Sequence, residues 1–271
     1  METQTATPQG DCECGVHPSA FYLLATLLLT SCSTAMLCAA IMTQHWEHVS
    51  WERAALAALA NASNTAIQWL LDEKVVKIED SNQRKGGGTF LVPMNGGIWT
   101  MCVSLEEEEV SILYRAGFPK QPLCTNYLAD GDDEEQRGDW QHRMQNLSIS
   151  CALVCLIVLV SAALVGAFGV CKHQISAVLV TGVMYLLAGL FAMFTLMIIH
   201  LKRARVSLRP LDGDGVIGPR HPALPLLTAR EFNTSWSLEL GWGGVVLATT
   251  ASLLWILLSK IMRYNPILGM L

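Results

Sequence analysis

The residues equipped for chemistry in this chain are its cysteines, its histidines and a few isolated carboxylates, and spacing limits what each can do. Cys12 and Cys14 form a Cys-x-Cys pair, half of a metal site at best, and read as free thiols. His45 and His48 lie three residues apart with no third ligand in sight, which suits interfacial histidines better than a metal pair. The acidic runs Glu106 to Glu109 and Asp130 to Glu135 lack the spacing of a calcium loop and read as solvated surface. Glu239 and His200 are single ionisable groups near the ends of apolar stretches, without a partner for acid–base work. No Ser/His/Asp, His-x-x-Glu-His-type or phosphate-cradling arrangement is present, so no catalytic residue, metal site or cofactor is expected. One pair remains. Cys102 closes the stretch Gly96-Gly97-Ile98-Trp99-Thr100-Met101-Cys102, and Cys124 is the other cysteine of the same long polar segment, so the two are a candidate disulfide.

The elements that must position this pair follow from hydropathy. The 271 residues are 52% hydrophobic and 15% charged, with a mean hydropathy of +0.37. Soluble domains carry about 25% charged residues, so the charge deficit is the telling quantity. A net charge of -5 without a Lys/Arg run excludes a nucleic-acid footprint. Four windows exceed the roughly 18 residues needed to cross a bilayer core: 20–43, 147–170, 176–200 and 236–258. The first begins too far in, runs too long and lacks the basic flank of a signal peptide. Small residues recur four apart as Ser31, Ala35 and Ala39, as Ala162 and Gly166, and as Gly244, Ala248 and Ser252, with Gly182 and Gly189 seven apart. Such spacing lets helix backbones approach in lipid, so one compact bundle of four helices is expected. Cys32, Cys38, Cys151 and Cys155 fall within spans and read as packing residues.

Between these spans lie segments 1–19, 44–146, 171–175, 201–235 and 259–271. The loop 44–146 is far too long for a plain connector and must fold. Trp46 marks its membrane interface. Ser50 to Leu71, rich in Ala, Leu and Trp, predicts a short helix outside a sheet; Lys74 to Glu79, Thr89 to Val92 and Gly97 to Leu105 predict strands. The turn Cys171-Lys172-His173-Gln174 forces spans two and three into an antiparallel pair. Segment 201–235 carries Lys202, Arg203 and Arg205, then prolines and glycines that disfavour any long element.

Two signals compete over sidedness. With both termini cytoplasmic, the inner side holds Lys172, Lys260 and Arg263, while Lys202, Arg203, Arg205, Arg209, Arg220 and Arg230 face outward, against the positive-inside rule. Yet the sequons at Asn61, Asn146 and Asn233 all fall in the two loops that this topology places outside. The cysteine pair also needs an oxidising compartment. Sequons and cysteines outweigh the basic residues: both termini are expected in the cytoplasm, with Asn61, Asn146 and Asn233 as glycan acceptors. Asn146 adjoins span two, at the edge of the transferase's reach. Cys171, at the membrane edge of the cytoplasmic turn, is then a candidate for S-palmitoylation.

With that layout, Trp46 after span one, Gly97-Ile98-Trp99, Cys102 and Cys124 together resemble the W–GLW–C–C signature of the superfamily of claudins, peripheral myelin proteins and voltage-dependent calcium channel gamma subunits. Ser235-Trp236-Ser237-Leu238-Glu239-Leu240-Gly241-Trp242 looks more like the gamma-subunit branch, which includes the transmembrane AMPA-receptor regulatory proteins. Two departures mark an outlying member: claudins set their cysteines closer together, and their stretch equivalent to Trp46–Gly97 is much shorter. The ending Leu268-Gly269-Met270-Leu271 is also unlike the valine-type scaffold-binding tail common in both branches.

The resemblance implies a left-handed bundle of four transmembrane helices with an extracellular antiparallel sheet from the first loop. Trp46 and Trp99 would pack at its membrane-facing edge, and the disulfide would tie two strands. It implies a plasma-membrane protein acting as an auxiliary subunit on a pore-forming channel or receptor subunit. The alternative is claudin-like adhesion or barrier formation, with self-association or trans contacts through the first loop. The lipid bilayer is the remaining partner, and no nucleic acid is implied.

Overall fold

The computed structural model describes residues 18–79, 88–127, 139–206, 214–218 and 224–264. Cys12, Cys14 and the acidic run from Asp130 lie outside them. The first element is helix α1 (Pro18–Met42), followed after four residues by strand β1 (Glu47–Trp51). Helix α2 (Arg53–Ala62) and strand β2 (Ile67–Leu70) come next, so Ser50–Leu71 is not one helix outside the sheet. Strand β1 begins the segment and β2 ends it. Strands β3 (Val75–Ile78), β4 (Thr89–Leu91), β5 (Met94–Gly96) and β6 (Thr100–Val103) lead to helix α3 (Glu107–Arg115) and strand β7 (Cys124–Asn126). The expected strand Gly97–Leu105 is therefore shorter, and Gly97-Ile98-Trp99 form the turn that feeds it from β5.

Helices α4 (Asp139–Cys171) and α5 (Ile175–Val206) form the antiparallel pair, extending beyond the apolar windows at their sheet-side ends. Segment 201–235 supplies short elements: strand β8 (Val216–Ile217), helix α6 (Leu224–Leu227) and strand β9 (Arg230–Thr234), before helix α7 (Trp236–Tyr264). Four of these helices, α1, α4, α5 and α7, are long and apolar enough to cross a membrane.

Neighbouring spans pack as α4 on α5, α5 on α7 and α7 on α1, while α1 and α4 barely touch. Small residues set the tight seams. A Cβ on Gly244 would lie 2.7 Å from the Leu37 side chain, and one on Gly182 would lie 3.1 Å from the Ser252 carbonyl. Ala248 is buried opposite Gly189. On α1, however, the packed residues are Ser33, Leu37 and Ala40, whereas Ser31, Ala35 and Ala39 are exposed. The four-residue spacing was real but lies on the wrong face: in lipid both faces of a helix are apolar, so nothing in composition marks the inner one.

The sheet domain draws on both loops. One sheet runs β7-β6-β5-β1-β9 and the other β2-β3-β4-β8, all antiparallel. Side chains alternate faces along a strand, and the second sheet uses both. Val75 and Phe90 join Val49, Met94 and Met101 of the first sheet in a shared core closed by Leu113 and Phe118. Val76 and Leu91, one residue on, pack under α2 and α6 with Leu56, Ala60 and Leu226.

The acidic run before α3 is more than solvated surface. Glu109 accepts the backbone N–H of Glu106 at 3.0 Å, tying up a donor at the helix start, and also pairs with Lys74. The hydrogen bond from Lys74, with the Glu106 N–H second, holds the Glu109 carboxyl below its ordinary value. The same bond raises Lys74 above the ordinary lysine value.

Candidate functional site

The motif residues converge on the end of α1. A helix leaves its last four carbonyls without partners, and at a membrane surface water is scarce for them. Here one backbone N–H and two indoles supply the donors. Thr43 N–H reaches the Ala39 carbonyl at 3.1 Å. The Trp46 indole N–H donates to Ala40 O at 2.6 Å, and the Trp99 indole N–H donates to Ile41 O at 2.7 Å. Trp46 is 2% exposed, so its bond is sealed from solvent.

Each residue of Gly97-Ile98-Trp99 has a separate task. Gly97 lies where the β5–β6 turn crosses the chain leaving α1; a Cβ there would meet Gln44 Cα at 3.0 Å and Thr43 O at 3.1 Å, both backbone atoms that cannot yield. Ile98 is buried in the core of the helix bundle, and its carbonyl accepts Gln145 Nε2 at 2.7 Å. Trp99 caps α1. Three residues after Trp99, in β6, Cys102 faces Cys124 directly across the β6–β7 ladder, with Cα atoms 4.0 Å apart, and the two are bonded.

Beside this turn lies a buried polar cluster that reading the sequence missed. Lys202, on the sheet-side extension of α5, points its ammonium at Gln145 Oε1 (3.2 Å) and Glu47 Oε1 (3.9 Å), over the Tyr127 ring. Lys202 and Glu47 are 8% and 6% exposed. Glu47 fits because its neighbour across the ladder is Gly96, where a Cβ would come within 2.6 Å of the Glu47 side chain. One signal was available: Glu47 and Val49 alternate inward on β1, so the acid occupies a core position. Lys202 belongs to the basic segment that the expected topology puts outside the cell, and its side chain is buried within the protein.

The other expected site residues are dispersed. Trp236, the first residue of α7, is 51% exposed and its ring lies 5.5 Å from that of His45. His200 accepts the Trp242 indole N–H at 3.4 Å. Asn61 is exposed near the end of α2, Asn146 is exposed within α4, and Asn233 is exposed on β9, with its amide 3.4 Å from Ser50 Oγ. Cys171 ends α4 and is exposed. Among the described residues no group of three or more His, Cys, Asp or Glu is placed to hold a metal. What the junction can do is mechanical: it fixes a sheet domain to helix ends.

Fold and junction together define a four-span membrane protein whose sheet domain is welded to its first helix by indole caps. The family profile described as PMP-22/EMP/MP20/Claudin tight junction matches residues 31–257, well over half of the chain. The chain belongs to this family. No individual curated protein matches it.

Proposed function

We propose that the protein is an auxiliary subunit of a membrane channel or receptor, of the kind found in the gamma-subunit branch of its superfamily. The observation that carries this reading is Glu239. The buried residues of α7 near it, Ser237, Leu238, Gly241, Gly244 and Val245, share one side, and Glu239 projects from the other as an exposed carboxylate. The exposed stripe continues down the span through Val246, Leu253 and Leu257. An ionisable group on the outer face of a membrane helix is costly unless something engages it, and it has no ion pair among the described residues. A pore subunit with a hydrogen-bonding or basic side chain at that depth would satisfy it.

Adhesion through the sheet domain has less support. Ile112, 53% exposed on α3, is its one exposed large apolar side chain among the described residues, and a single such residue is ordinary surface. In this reading both termini are cytoplasmic, the chain resides in the plasma membrane, and Asn61 and Asn233 carry glycans while Cys171 carries an acyl chain. Loss of the glycosidase-sensitive mobility shift in Asn61→Gln and Asn233→Gln variants checks that topology; a wild-type protein insensitive to glycosidase counts against it.

The deciding experiment is affinity purification from native membranes in mild detergent, followed by mass spectrometry, for wild type and Glu239→Leu. A pore subunit recovered near-stoichiometrically with wild type and depleted with the variant is expected. Recovery of only the protein itself and junction components would overturn the reading in favour of adhesion.

A further inference from the structure

The bundle is incomplete on one side, and the gap has a definite character. Between α1 and α4 runs a cleft of about 470 Å³, with Ser31 and Ala35 on one wall, Ala163 and Ala167 on the other, and Tyr185 and Trp255 as its floor. It extends along α1 from Leu27 to Cys38, about 17 Å at a helical rise of about 1.5 Å per residue. All four helices around it are spans, so its mouth opens into the bilayer interior rather than water. A void there forfeits dispersion contacts on every wall, so something occupies it.

The lining says what. The Ser31 hydroxyl donates to Leu27 O at 2.9 Å, and Thr34 donates to Thr30 O at 2.8 Å while lying 3.1 Å from the Tyr185 hydroxyl. The Trp255 indole donates to Thr30 Oγ1 at 2.9 Å. Every hydroxyl and N–H facing the cleft is therefore engaged within the protein. A ligand acceptor would lose its own donors and find none free in the cleft. The wall is chemically hydrocarbon despite its serine and threonines. Size then separates a lipid tail from a helix. The volume falls within the range of about 300–1,000 Å³ typical of single small-ligand sites. A helix with its side chains is about 10 Å across, whereas an acyl chain is a single polymethylene strand that can follow a groove between two helices.

We infer that the α1–α4 cleft is a binding site for one acyl chain of a membrane phospholipid, which completes the fourth interface of the bundle. This inference is independent of the partner proposed above, which rests on the opposite face of α7. The chain's occupancy sets the spacing of α1 from α4, and α1 carries the indole-capped junction at its far end.

The test reconstitutes the full-length protein in vesicles of phosphatidylcholine bearing a diazirine at the end of one acyl chain. Ultraviolet light and peptide mapping then locate the labels. The expected result is labelling of residues 27–38 and 162–167 several-fold above exposed positions elsewhere, such as Leu253 and Leu257. Filling the cleft from its exposed walls, with Ala35→Trp and Ala163→Phe, reduces that labelling to the surrounding level, while Leu253→Trp leaves it unchanged. Retained circular dichroism and an intact Cys102–Cys124 bond show that the filled variant has folded; Ala35→Leu with Ala163→Leu provides a milder version of the same test. Even labelling over all lipid-facing positions in wild type overturns the inference. So does unchanged labelling in a folded, filled variant. Crosslinks from these residues to a second polypeptide overturn it too, and assign the cleft to a protein partner.

Discussion

The Lys202 ammonium lies 3.9 Å from the Glu47 carboxylate, with both side chains buried where the sheet domain meets the bundle. The two come from different parts of the architecture: Lys202 continues a membrane helix, and Glu47 opens β1, between β5 and β9 in the sheet. Removing one partner of a buried pair leaves a charge that the protein must still solvate.

Lys202→Met is therefore expected to destabilise the protein by about 1.5–3 kcal/mol, the usual cost of a lost buried hydrogen bond to a charged group. Glu47→Gln added to Lys202→Met removes that charge, so the double variant should be more stable than the single. Thermal unfolding in detergent compares them. A double variant no better than Lys202→Met alone would show that the pair is not coupled.

Trp46→Phe and Trp99→Phe keep a ring but delete the N–H that caps α1. Losing one hydrogen bond costs about 0.5–1.5 kcal/mol, and Ala40 O keeps the Thr43 hydroxyl at 3.1 Å when the Trp46 indole is gone. Trp46 is fully buried and Trp99 only partly, so water can replace the second donor more easily. Both variants should melt below wild type when compared side by side; a variant that melts with wild type would contradict the capping account.

Cys102→Ser or Cys124→Ser should cost about 3 kcal/mol, as expected for closing a loop of this length. The bridge fastens β7, an edge strand of three exposed residues, to β6. Its loss should appear first as proteolysis around Cys124–Asn126. Cleavage starting within the helices instead would mean that the bridge serves the bundle.

The pH response of α3 follows from Glu109 and Lys74. The carboxyl is held low, so its contribution is present above the ordinary carboxylate range and fades as pH falls through the lowered value. Lys74 is held high, so its contribution persists below the ordinary lysine range and fades only above its raised value. Protection of the α3 amides, taken relative to the intrinsic exchange rate at each pH, should therefore be high and level near neutrality and fall in acid. Glu109→Gln should flatten that acid limb; an unchanged limb would assign it to another group.

The four spans were legible because roughly 18 apolar residues have few other uses, and the disulfide because its segment held only two cysteines. Trp46, Ile98 and Trp99 were legible as a signature, though not their roles as caps and core plug. Strand β5 was not, because Met94-Asn95-Gly96 sits between Pro93 and Gly97 and reads as a break. Strands β8 and β9 were hidden among prolines and glycines, and their partners β4 and β1 lie more than a hundred residues away. Glu47 was hidden by its charge. Nothing local announces that a lysine far along the chain will meet it.

Strand β1 follows α1 by four residues and β9 precedes α7 by one; α1 packs on α7 and β1 pairs with β9 in a five-residue ladder from Glu47↔Thr234 to Trp51↔Arg230. Each arm of this hairpin thus runs as helix in the bilayer and strand beyond it. A ladder yields to sliding only in whole-residue steps, and a single step turns every side chain to the opposite face. Sliding α1 lengthwise past α7 would demand such a slip, so the paired arms behave as a strut along that axis. A lengthwise displacement of either helix is thereby carried into the sheet domain through both arms together.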